Sequence, residues 1–250
     1  MFWDSTPGEQ RDGSVDHSRR KVVQYVNYQD DSDYTDGHGT HVVGSILGNR
    51  STDGTVGSAD GGVLAGMAKN AKVSFFDLGA GTACCYVPYD SSLFRGYGEA
   101  GAKIHSASWG NTDSSYSSLS VIFDSFAFDH DDFLPIVAAG NSGTASNTVG
   151  SPATAKNILS VGAGESSGRD LYATGAGGMN YLAYFSSRGP TNDGRMKPDI
   201  VAPGHSILSA GARPSSTGEC EGPAGSFPSA GGSSSYGIKY MSGTCKLLMF

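Results

Sequence analysis

The sequence contains no apolar run approaching the ~20 residues that a membrane-spanning helix requires. Positive charge is also scarce. Against 24 Asp and Glu stand 17 Lys and Arg, for a net charge of −7 at pH 7, and the one basic run, Arg19-Arg20-Lys21, reads as a solvated patch. A nucleic-acid binder needs a basic stripe, and none is present. Cys84, Cys85, Cys220 and Cys245 form no C-x-x-C and no zinc-ligand spacing, which argues against a structural zinc site. Pairing of Cys220 with Cys84 or Cys85 stays open. The opening MFWDSTPGEQ turns polar after three residues, so no secretory signal is read there.

What is present is enough for one domain with a real core, residues 1–250, at 38% hydrophobic residues. The 37 glycines imply many tight turns and close backbone approaches. KVVQYVNY (Lys21–Tyr28) reads as a strand, and GTHVVGSILG has the apolar spacing of a helix. AKVSFFDLG reads as a buried strand and SSLFRGYGEAGA as a helix leading into the strand KIHSASWG. The helical rhythm of SLSVIFDSFAFDH precedes the strand FLPIVAAGNSG; NILSVGAG, PDIVAPG and SILSAG continue the β pattern. Gly211 to Gly237 is a Gly/Ser/Pro-rich stretch, read as loop. Strands alternating with helices predict an α/β fold with a mainly parallel sheet and its functional groups on loops at strand ends.

Three glycine-flanked segments carry chemistry. His38, between Gly37 and Gly39 at a helix start, has small neighbours and a near-neutral pKa suited to proton transfer. Asn141 follows a buried strand in a glycine turn, where its amide can meet a developing oxyanion. Cys245 follows Gly243-Thr244, a turn that can lift a nucleophile towards the histidine.

In this order the segments resemble the subtilisin-like serine proteases (subtilases, peptidase S8 type). GHGTHVVGSILG is similar to that family's catalytic histidine segment, AAGNSG to its oxyanion segment, and GTC falls where the family has Gly-Thr-Ser. IHSASWGN resembles the strand that holds substrate backbone, and FSSRGPTNDGRMKPDIVAPG resembles a family signature. The resemblance implies a three-layer α/β fold with a mainly parallel central sheet and helices on both faces. It implies peptide-bond hydrolysis through an acyl-enzyme, with His38 as general base, Asn141 as oxyanion donor and Cys245 in the nucleophile's place. Ser106, Ala107, Ser108, Trp109 and Gly110 would pair with an extended polypeptide substrate. The implied setting is secreted. No cofactor is implied; structural calcium is compatible, but no ligand position carries over and no metal residue is assigned.

The pattern breaks at both ends. The family's catalytic aspartate ends an apolar strand upstream of the histidine; Asp12, 26 residues before His38, follows Gly8-Glu9-Gln10-Arg11, which cannot form a core strand. We expect Met1 to lie just downstream of the aspartate strand, and the helix that follows the nucleophile to be missing after KLLMF. The fold is therefore expected to be incomplete and this chain inactive as it stands. The alternative from another class is a catalytically dead paralogue that uses its groove as a peptide-binding module.

Other residues carry weaker signals. GESSG (Gly164–Gly168) fits a nucleophile elbow at Ser166, but the glycine-broken RDLYATGAGG is not the helix an elbow enters. His41 is expected to be a packed helix-start residue. Asp30–Gly37 misses the EF-hand register and is read as a loop. Asp129, His130, Asp131 and Asp132 read as a solvated cluster, His105 as a strand residue, and Trp109 as pocket wall or core.

Overall fold

Neighbouring residues of one strand enter two different cores. Ile136 packs with Val42, Val161, Ala163 and Ala202, whereas Val137 packs with Leu93, Phe94, Phe123 and Phe133. Side chains alternate across a strand, so a sheet with a core on each face needs apolar residues in succession. That is why LPIVA carries no polar residue. The computed structural model describes residues 13–29, 37–48, 66–80, 85–165, 178, 180–211 and 238–246. Asp12, Asp30–Asp36, Ser166, Cys84 and Cys220 lie outside the described residues.

The strands are β1 (Val22–Asn27), β2 (Val73–Asp77), β3 (Ile104–Ala107), β4 (Leu134–Ala138), β5 (Leu159–Gly164), β6 (Ile200–Pro203), β7 (Ile207–Ala210) and β8 (Ile238–Met241). β1 and β2 form a parallel pair; β3-β4-β5-β6 form a parallel four-stranded sheet in that order; β7 and β8 pair antiparallel. Helix α1 (His38–Leu47) covers one face of the four-stranded sheet through Val42 and Ile46. The other face is covered by the 3₁₀ turn Ser91–Phe94, the short helix α2 (Arg95–Ala100) and α3 (Ser118–Asp129). Three layers result, as expected.

Local chemistry places α1. Gly37, its N-cap, has φ 75°, a left-handed conformation that costs a glycine little and any other residue more. One turn on, His41 is fully buried, with Nε2 3.1 Å from Ile207 O and 3.0 Å from Lys239 O. Ser209 Oγ donates to His41 O at 2.8 Å. A Cβ on Gly44 would lie 2.9 Å from Ala210 Cβ, so the helix and β7 meet at van der Waals distance only because position 44 has none. The packed role expected for His41 is thus observed, and its partners are carbonyls of the β7–β8 pair.

One reading needs correction. Lys21 is not part of a solvated patch. It is 3% exposed, and its Nζ donates to the carbonyls of Lys69 and Ala71. Burial depresses its pKa, and the two carbonyls compensate the ammonium's lost water. In addition, IKYM forms a strand, β8, that a flanking Gly/Ser-rich stretch concealed.

Elsewhere the acidic cluster is held by its surroundings. Asp132 accepts from Lys103 and from the Tyr97 hydroxyl, while His130 stacks on Phe126 at 4.1 Å. His105 lies on β3, its ring 5.1 Å from Phe94 and 5.7 Å from Phe123. The residue is half-buried as a whole, but Nε2 is enclosed without a hydrogen-bond partner. Burial lowers its pKa from the ordinary 6.5 to about 4. Between those values the unfolded chain binds the proton and the folded chain does not, so stability falls on acidification. His105→Leu is expected to lose about 2 kcal/mol less than the parent chain between pH 7 and pH 5, read from urea midpoints. Equal losses in the two proteins would remove His105 as the cause.

Candidate active site

The loops at the C-terminal ends of β3 and β4 meet the turn that follows β8. Thr244–Lys246 forms a 3₁₀ turn that touches α1, β4 and β5. Asn141, just past β4, is bound to this turn: its Oδ1 accepts from Thr244 N–H at 2.9 Å and from Thr244 Oγ1 at 3.1 Å. Thr244 Oγ1 in turn accepts from Gly140 N–H at 3.1 Å.

This chain of bonds settles which end of the amide does what. A backbone N–H can only donate, so the atom facing Thr244 N must be the carboxamide oxygen, and the NH₂ is turned away as a donor. A Cβ built on Gly243 would lie 3.4 Å from Asn141 Nδ2 and 2.9 Å from Cys245 Sγ. The amide donor and the sulfur therefore flank one small space, kept open by a glycine with φ 157°. Asn141 is exposed, Cys245 is buried and not in a disulfide, and His38 at the first position of α1 is half-buried. Ser108 Oγ donates to Cys245 O at 2.9 Å, tying the predicted substrate stretch to the same turn.

That stretch divides in two. Ser106 and Ala107 are registered against Ile136 and Val137 inside the sheet. Ser108, Trp109 and Gly110 lie beyond the strand end and line a cavity of about 990 Å³ that His38 also lines. Trp109 lines this cavity and also packs on the core, its ring 6.0 Å from that of Phe123. Gly110 is pressed on the Ser151–Pro152 loop: a Cβ there would sit 2.9 Å from Ser151 O.

Thr244 carries only a weak sequence signal, a threonine beside the expected nucleophile, because its role depends on a contact 103 residues away in the chain. Asp77 was also passed over. It is buried at the end of β2 and lines the cavity with His38, but the Tyr25 hydroxyl donates to its Oδ2 at 2.5 Å and Gly79 N–H to its Oδ1 at 3.0 Å. Among the described residues no group of three His, Cys, Asp or Glu side chains could hold a metal ion.

Against known proteins, the Subtilase family profile (Peptidase_S8) matches residues 5–244. The chain belongs to the subtilase family. A serine protease/ABC transporter B family protein, tagB of Dictyostelium discoideum, is 30% identical over 286 residues, a match covering 87% of this chain and 15% of that protein. The serine protease AprX of Bacillus subtilis (strain 168) is 37% identical over 107 residues, covering 37% of this chain and 23% of AprX. Among solved structures, Sphericase aligns with a TM-score of 0.55 at 23% identity, over 90% of this chain and 63% of that one. The subtilase chain described here thus spans about a seventh of tagB's length (15%). Like other subtilases it has a parallel central sheet with helices on both faces. No helix among the described residues is long and apolar enough to cross a membrane.

Proposed function

We propose that this chain carries the reaction centre of a serine-type endopeptidase, with His38 as general base, Asn141 as oxyanion donor and position 245 as the nucleophile's site. The observation that carries the reading is the carboxamide of Asn141, fixed by Thr244 so that its NH₂ and the residue-245 side chain border one space. A carbonyl in that space would put its oxygen near the amide donor and its carbon near the nucleophile. In this reading the nucleophile attacks that carbon, His38 takes the nucleophile's proton, and the same imidazolium returns it to the leaving amine. An extended polypeptide would lie along Ser108–Gly110, beyond the end of β3.

With cysteine at 245 in place of the family's serine, the 250-residue chain is inactive as a serine peptidase in this proposal. An extracellular setting belongs to the same reading, and the disulfide at Cys85 is compatible with an oxidising compartment.

The test is labelling by a serine-directed fluorophosphonate. The 250-residue chain is expected to stay unlabelled and to leave casein intact. The form bearing Cys245→Ser is expected to label, and to stop labelling with His38→Ala. Silence of that form would favour the peptide-binding module. Casein hydrolysis by the 250-residue chain, abolished by His38→Ala, would overturn the claim of inactivity.

A further inference from the structure

Asn141 is exposed, yet the backbone on either side of it is held by a segment that leads from β5 towards β6. Ser187 of that segment bonds on both sides of Asn141. Its N–H donates to Gly140 O at 3.0 Å, and its Oγ accepts from Ser142 N–H at 3.1 Å. Its neighbours extend the grip. Phe185 O accepts from Gly143 N–H at 2.8 Å, and Arg188 O accepts from Thr148 N–H at 2.8 Å.

Two adjacent serines, each 1% exposed, divide the work. Ser186 Oγ accepts from Ala163 N–H at 2.9 Å and so ties the segment to β5, whereas Ser187 Oγ faces the Asn141 loop. Gly140 makes the close approach possible. Its φ of 110° is one that side chains with a Cβ rarely adopt, and a Cβ there would lie 2.8 Å from Ser187 Oγ. Ser187 and Thr244 therefore hold different parts of one residue. Thr244 bonds the carboxamide, and Ser187 bonds the two residues between which that side chain is mounted. A donor aimed at developing charge is effective to the extent that it is held in place before the reaction.

We propose that Ser187 is a positioning residue for the reaction assigned above. By bracing Gly140 and Ser142 it fixes where the Nδ2 donors of Asn141 point. The proposal rests on the reading of Asn141 as oxyanion donor. Ser187 is itself buried and acts only through that residue.

The experiment has a turnover arm and an arm without turnover. In the form bearing Cys245→Ser, Ser187→Ala is expected to lower kcat about fivefold with KM unchanged, in keeping with one lost hydrogen bond. Added to Asn141→Ala, the same substitution should cost nothing further, because the group it positions is gone. Ser186→Ala, which loses the bond to β5 instead, should lower the urea midpoint and leave kcat within about twofold. In the 250-residue chain, Ser187→Ala should make the Ser142 amide exchange about fivefold faster and loosen the Asn141 side-chain amide, read by ¹⁵N relaxation. Losses that multiply in the double variant overturn the proposal. So does an equal kcat loss from Ser186→Ala, or unchanged Ser142 exchange together with unchanged Asn141 relaxation. Full kcat in Asn141→Ala alone would remove the donor reading, and the exchange and relaxation measurements tell that failure apart from failure of the brace.

Discussion

In a turnover-competent form bearing Cys245→Ser, Asn141→Ala lowers kcat by roughly 10²–10³ and leaves KM nearly unchanged, a range measured within this family for the matching asparagine. The reason is geometric. The Nδ2 donors face the space beside residue 245 rather than a resting partner, so they gain most when negative charge develops there. Thr244→Val separates positioning from catalysis. It removes the Oγ1 that donates to Asn141 Oδ1 and accepts from Gly140 N–H, but the Thr244 backbone bond survives. One of two restraints is lost, and a drop of about tenfold in kcat is expected, in keeping with a single hydrogen bond. Asn141→Asp should be worse than alanine, since it places a carboxylate oxygen where the donor stood. A raised KM with unchanged kcat in Asn141→Ala would instead make this residue a ground-state binder.

The contrast between Asn141 and Thr244 shows what a linear sequence can disclose. Asn141 was legible because a buried strand, a glycine turn and a polar residue follow one another within a few positions. The helix beginning at His38 was legible for the same reason, through its periodic Val42, Val43, Ile46 and Leu47. Thr244 acquires its role only from a contact made across the fold, and nothing in GTC announces it. Lys21 misled because its neighbours are Arg19 and Arg20. The carbonyls that receive it come from residues 69 and 71, on the approach to β2. β8 was hidden because pairing with β7 and the anchor at His41 establish it as a strand, while its flanking residues favour loops.

Phe123→Ala is expected to cost ~3–5 kcal/mol, against a total stability of ~5–15 kcal/mol for an ordinary domain. Phe123 is fully buried on α3, with rings of Phe94 at 5.1 Å, His105 at 5.7 Å and Trp109 at 6.0 Å around it. Removing its ring leaves a cavity that these rigid aromatic neighbours cannot close by changing rotamer. The lost contacts include Trp109, which lines the cavity beside His38, so the damage reaches the candidate site as well as the core. Phe128→Ala, on the same helix but at a position 80% exposed, supplies the control and should cost at most about 0.5 kcal/mol. Urea midpoints at constant m-value measure both. Similar losses from the two variants would mean that the aromatic cluster is not the core of this half of the molecule.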